Sequence, residues 1–219
     1  MSHPAIALAV AGALLALLIV AQLVVPRIAE QRLRDRLSRS GTVLGVRVGA
    51  FPAIQLLWHH ADSVVVRMGR YRAGAADLGH SLAEASNVGW LDASAQELDS
   101  GALTLRDATL RKRGDSLAGT ATITQADIRS AVPFLENVAP VASQDGLLTL
   151  RGTASLLGLK ASVDVTVAAQ DGRLVVAPNV PFGGLATITL FSDPHVHIQA
   201  VNATNVAGGF SIEALAKLQ

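Results

Sequence analysis

The sequence predicts an α+β protein: an N-terminal transmembrane helix followed by a long, mainly antiparallel sheet that covers one or two helices. Three observations predict it. Ala5 to Val25 is an apolar run broken only by Gly12 and Gln22. From Thr42 onward apolar and polar residues alternate with a period of two, the signature of half-buried strands. The alternating segments are separated by short intervals carrying Gly114-Asp115, Asp145-Gly146, Asp171-Gly172 and Asp193-Pro194, so hairpins are expected and few intervals could hold a crossover helix.

Composition agrees with a tethered folded domain. The chain has 219 residues, 50% hydrophobic and 16% charged, with a formal net charge of +1 and no cysteine. Globular chains average roughly 25% charged residues, so this sequence is neither a disordered chain nor one with a strongly charged nucleic-acid-binding surface. Removing Ala5 to Val25 leaves about 46% hydrophobic residues, an ordinary globular share. Without cysteine there is no thiol nucleophile, thiolate zinc site or lipidated Cys anchor.

Each element has its own reason. About 20 apolar residues cross a bilayer core, and Ala5 to Val25 is longer than a signal-peptide core and lacks a basic leader. The segment from 1 to 25 is therefore read as an anchor or uncleaved signal segment. A second helix is expected from Pro26 to Ser40, with Pro26 in the first turn and Gly41 as the stop. Ala29, Leu33 and Leu37 form its apolar stripe; Arg32, Arg36 and Arg39 lie off it. Two readings remain open, a helix packed on the domain and a basic helix lying on anionic headgroups. The arginines that follow the span, Arg27, Arg32, Arg34, Arg36 and Arg39, taken alone place the domain in the cytoplasm.

Residues 41 to 219 read as one domain. Strands are expected over Thr42 to Ala50, Ser63 to Tyr71, Ala102 to Lys112, Arg173 to Ala177 and Ala186 to Phe191. Further alternation surrounds Leu148 and Leu150, Val163 to Val167, and Val196 and Ile198. Thr124 to Val132 predicts a short helix capped by Thr124 and stopped by Pro133. Helical turns are expected at Ala53 to Trp58 and Ser211 to Leu218, while Leu78 to Asp99 reads equally as strand or helix. The apolar strand faces need a second layer, barrel closure or a helix laid into a curved sheet.

No catalytic motif occurs: there is no G-x-S-x-G elbow, P-loop, G-x-G-x-x-G or H-E-x-x-H. His195 and His197 are two apart on a strand and have no evident third ligand, so they read as solvent-facing rather than as a metal pair. His59 and His60 read as a solvated or interfacial pair. Asp99, Asp107, Asp115 and Asp127 are dispersed, and nothing selects a catalytic pair among them. No enzyme activity, cofactor or metal is expected.

Three loops are unusually apolar. One holds Phe51, Pro52, Ile54, Leu57 and Trp58; the others hold Pro133 and Phe134, and Pro181 and Phe182. Loops are normally polar, so these residues either close the ends of the core or form a rim at a membrane or cavity. The run Val48-Gly49-Ala50-Phe51-Pro52, followed by Ile54 to Leu57 and the strand Ser63 to Met68, resembles the opening signature of the LmeA-type family of actinobacterial phospholipid-binding cell-envelope proteins. The order of hydrophobic segment, Arg/Glu-rich helix, Phe-Pro turn, strands and late Val180-Pro181-Phe182 motif is similar to that family from about Ala29 to Phe210. Ala50, where the family usually has Gly, and His59-His60 depart from it.

The resemblance implies a tubular lipid-binding-like fold, a long curved sheet wrapped around a helix, with an apolar cavity for acyl chains. It implies a single-pass membrane protein with an extracytoplasmic domain, against the arginine count. The expected partner is a phospholipid or membrane surface, with an envelope protein partner unidentified and no nucleic acid. Arg47 and Arg67, which flank the Phe51-Pro52 turn, and secondarily Arg70 and Arg72, are the expected headgroup contacts. A structural or partner-docking envelope module with a filled core and no lipid is the rival reading.

Overall fold

The computed structural model describes residues 22, 24–51, 56, 60–101, 103–131, 135–144, 147–156, 159–179 and 187–218. Most of the expected anchor, Ala5 to Val25, lies outside the described residues. No described helix is long and apolar enough to cross a membrane.

The described chain is α+β, with twelve strands in two sheets and few helices. Helix α1 covers residues 24–38 and leads through a tight turn into β1 (Gly41–Gly49) and β2 (Ala61–Arg72). Helix α2 (Ala75–Glu84) and a 3₁₀ turn (Ala85–Asn87) carry the chain to β3 (Val88–Asp99), followed by β4 (Thr104–Arg113) and β5 (Ser116–Thr124). After α3 (Gln125–Ala131) come β6 (Leu135–Gln144), β7 (Leu147–Leu156), β8 (Leu159–Gln170), β9 (Arg173–Pro178) and β10 (Ile188–Phe191). The chain closes with β11 (Val196–Val206) and β12 (Gly209–Leu218).

The first sheet has the order β1-β2-β3-β4-β5-β12-β11 and the second β10-β9-β8-β7-β6. Every pairing is antiparallel except β2 with β3, which α2 joins as a crossover. That crossover resolves the ambiguous stretch Leu78 to Asp99: helix first, then strand. The Asp171-Gly172 hairpin has φ of 50° and 75°, the left-handed pair that a two-residue turn requires. Asp107, with φ 49°, stands where the β4–β5 register shifts between Arg106 and Thr109.

One expected helix is a strand. Ser211 to Leu218 is rich in helix formers, but it lies in β12 between β5 and β11 and alternates Phe210, Ala214, Ala216 and Leu218 into the core. Pairing on both edges and period-two burial outweigh local propensity. The expected turn at Ala53 to Trp58 falls mostly outside the described residues.

The seven-stranded sheet has one continuous apolar face. Across the register Val64, Leu91, Lys112, Leu117, Ala216 and Ile198 form one row on that face; Val66, Ala93, Leu110, Gly119 and Ala214 form the next. Two coverings meet it. β5, β12 and β11 pack on the second sheet in a cluster that includes Leu117, Phe210, Val201, Leu148 and Val167. β11 crosses the second sheet, touching β6 to β9, and Ile198 N–H donates to Gly172 C=O at 2.9 Å. Over β1 to β4 the covering is α1, whose Leu33 and Leu37 pack on Val64, Val66, Met68 and Leu91, together with Ala85 where α2 ends. Leu110 touches both clusters.

Candidate functional site

Helix α1 packs on the domain through its predicted stripe, with Arg27, Arg32, Arg34, Arg36 and Arg39 exposed. Arg36 pairs with Glu84 of α2 at 2.8 Å, and this partner holds its guanidinium pKa above the ordinary value. Glu30 Oε1 accepts a hydrogen bond from Val48 N–H at 3.0 Å. The other end of α1 meets the opposite end of the sheet, where Arg72 N–H donates to Ser40 C=O at 2.8 Å. The helix therefore runs antiparallel to β1, and its first residues lie near the β1–β2 connection.

At that connection Phe51 is 79% exposed, and its N–H donates to Asp62 Oδ2 at 2.6 Å. Val24 and Ile28 on the first turns of α1 are also exposed, at 46% and 47%. Of the expected rim only Phe51 is described; Pro52, Ile54, Leu57, Trp58, Pro133, Phe134, Pro181 and Phe182 lie outside the described residues. The described strand ends beside the three loops are not all neighbours. Gly49 and Ala61 stand at the Phe51 end of the first sheet, whereas α3, which precedes Pro133, begins at the opposite end beside Gly208.

The four arginines of β1 and β2 share one face of the sheet, the face turned away from α1. Beyond Met68 the alternation shifts: Tyr71 packs on the cluster under α1, while Arg70 lies in register with Glu97, Arg106 and Thr122 on the opposite, outer face, and Arg72 follows it at the end far from Phe51. Each meets a β3 carboxylate: Arg70 pairs with Glu97 at 3.0 Å and Arg72 with Asp99 at 3.0 Å, with both guanidinium groups largely exposed. Gly101 N–H and Arg72 together hold the Asp99 carboxyl below the usual carboxylate range. Arg47 and Arg67 alternate with the buried Val46, Val66 and Met68, which places them on the outer face too.

On that outer face the register adds residues that no sequence motif marked. Rows run Ser63, Trp90, Arg113, Ser116, Lys217, His197, and then Arg47, Val65, Asp92, Arg111, Ala118. Among the described residues no carboxylate lies within salt-bridge distance of Arg47, Arg67, Arg111, Arg113 or Lys217. Alternation within Leu110 to Arg113 was the available signal, but only strand pairing sets those arginines beside Arg47.

Lys112 points the other way. It is 2% exposed, and its Nζ donates to the Ser86 carbonyl at 3.4 Å and more closely to that of Val88. Burial pushes its pKa down, with Asp115 opposing. His195 and His197 are exposed, and among the described residues no three His, Asp or Glu side chains could hold a metal.

No curated protein and no solved structure matches the chain. A family model does, over residues 16–210, and so nearly the whole described structure falls within it. The chain belongs to the LmeA-like phospholipid-binding family.

Proposed function

We propose that this protein is a membrane-anchored, non-enzymatic phospholipid-binding protein of the cell envelope, with residues 1–25 as the anchor, the basic helix of residues 26–40 and a lipid-binding domain over residues 41–219. The observation that carries the reading, beside family membership, is the uneven covering of the apolar face. The half built from β5, β12 and β11 is sealed by a second sheet and holds eleven buried side chains in its cluster together with β6, β7 and β8. The half built from β1 to β4 is covered by α1 and the end of α2, and Leu33, Leu37, Val43, Val48 and Tyr71 stay only partly buried there. A part-exposed apolar lining under α1 and the end of α2 suits acyl chains, each buried CH₂ contributing about 0.8 kcal/mol.

Arg70 and Arg72 stand beside Tyr71 at the rim of that half far from Phe51, and exposed guanidinium groups there can exchange carboxylates for a phosphate. Arg47 and Arg67 face away from a lipid lying along that half. The rival reading, a structural or partner-docking module, is favoured by the sealed half, whose cluster needs no ligand to be filled. Native mass spectrometry of the purified full chain, followed by delipidation and exposure to liposomes, separates the two. Bound or reacquired phospholipid is expected; a chain that neither carries nor takes up lipid overturns the proposal. An extracytoplasmic domain is supported by the envelope family that the sequence resembles and opposed by the arginines after the span. Cysteine labelling from outside intact cells, at a site introduced into this cysteine-free chain, decides it.

A further inference from the structure

The arginines on the outer face call for an explanation that the interior lipid does not supply. Arg47, Arg67, Arg111, Arg113 and Lys217 share one face of the seven-stranded sheet with the half-buried Trp90; Asp92 lies among them, and Glu213 and the Arg70-paired Glu97 lie farther along the same face. Helices α1 and α2 and the second sheet pack against the opposite, apolar face. Arg113, Trp90 and Lys217 stand in the row nearest the Phe51 end, the end at which α1 begins and to which the apolar run Ala5 to Val25 is attached.

We propose that this outer face seats the domain on an anionic phospholipid bilayer, as a surface distinct from the apolar interior. The inference rests on the lipid-binding reading for its context and on charge and placement for its content. A tether entering the bilayer beside Phe51 keeps the face within a few ångströms of headgroups, inside a Debye length of about 8 Å. Each cation held near an anionic leaflet strengthens association about fivefold. Trp90 among the arginines suits the interface, where its ring meets acyl carbons and its N–H meets headgroups. Two functions then occupy two faces of one sheet: the outer face holds the domain down while the inner face stays free to accept a lipid.

The absence of cysteine makes the test direct. The full chain carrying Ser116→Cys, labelled with a polarity-sensitive dye, is reconstituted into vesicles of phosphatidylcholine alone or with a minority of phosphatidylglycerol. Thr204→Cys, exposed near the far end of β11, serves as the control. A blue shift at residue 116 is expected in the anionic vesicles only, reversed by high salt and reduced by more than half in R111E/R113E and by less in R111Q/R113Q. The wild-type salt series stands even if the reversed variant folds poorly. No shift at residue 116, or equal shifts in neutral and anionic vesicles, overturns the proposal, and a face that serves a protein partner gives the first result. Lipid found by mass spectrometry in a chain without the shift leaves the function standing and removes the docking face. A shift without bound lipid does the reverse.

Discussion

The Glu30 carboxylate accepts the Val48 amide at 3.0 Å, tying the middle of α1 to the last turn-ward residues of β1. β1 is an edge strand, and Val48 N–H would otherwise be an open donor. The tight turn at residues 39–40 sends α1 back along β1, and this bond fixes its far half against the sheet at the end from which the apolar N-terminal run leaves.

Replacing Glu30 with Ala should cost about 1 kcal/mol, the usual worth of one side chain to backbone bond. Hydrogen exchange gives the sharper reading. The Val48 amide should exchange faster in E30A while amides of β5 and β12 keep their protection. Uniform acceleration would mean that α1 stabilises the whole domain rather than its edge.

Phe51 is 79% exposed, so Phe51→Ser should shift the urea midpoint by less than about 0.5 kcal/mol equivalent. In a full chain whose Trp90 is replaced by Phe, the same substitution should weaken quenching of Trp58 by brominated lipids. Unchanged quenching would remove the turn from the membrane interface.

Lys112 separates charge from volume. Lys112→Met keeps the bulk and should leave stability at pH 7 within about 1 kcal/mol, because a buried cation is costly to keep desolvated. Lys112→Ala should lose about 2–4 kcal/mol through the cavity. Since burial lowers the folded-state pKa, the unfolded chain binds more protons above that value. Wild-type stability relative to Lys112→Met should therefore rise with pH from the folded value up to 10.5, and guanidinium melts at pH 7 and pH 10 measure it.

Thr124 and Asp127 form the reciprocal cap of α3: Asp127 N–H donates to Thr124 Oγ1 at 3.1 Å, and Thr124 N–H to Asp127 Oδ2 at 3.3 Å. Thr124→Ala should cost about 1 kcal/mol. Arg106, whose guanidinium makes two 3.1 Å bonds to the carboxylate, is the first cause that lowers the Asp127 pKa, and Thr124 adds to it. The resulting stability is fully present above the unfolded carboxylate value of about 3.9 and is lost as pH falls through the lower folded value. Urea midpoints of wild type and Asp127→Asn should converge below about pH 4; parallel curves would contradict the assignment.

Much of the fold was legible because burial in strands writes itself locally. The alternation in Ser63 to Tyr71 and Ala102 to Lys112 marked β2 and β4, and Asp171-Gly172 marked a turn that the left-handed φ values bear out. β12 was misread because Ala, Glu, Leu and Lys favour a helix in isolation, and the two neighbouring strands that overrule them are distant in sequence. The second sheet was not visible either, since alternation shows that a face is buried but not what buries it.

By itself the sequence determined the apolar run, the antiparallel hairpins, the inward stripe Ala29, Leu33 and Leu37, and membership in a phospholipid-binding family. Those features depend on spacing within one segment, where period and turn chemistry act. Tertiary structure alone decided that Arg70 and Arg72 share the outer face with Arg47 and Arg67 while Tyr71 between them packs inward, that Arg111 and Arg113 join them, and that Lys112 is buried between those two. A side chain's face follows from strand register, and register is set by pairing between segments far apart in the chain.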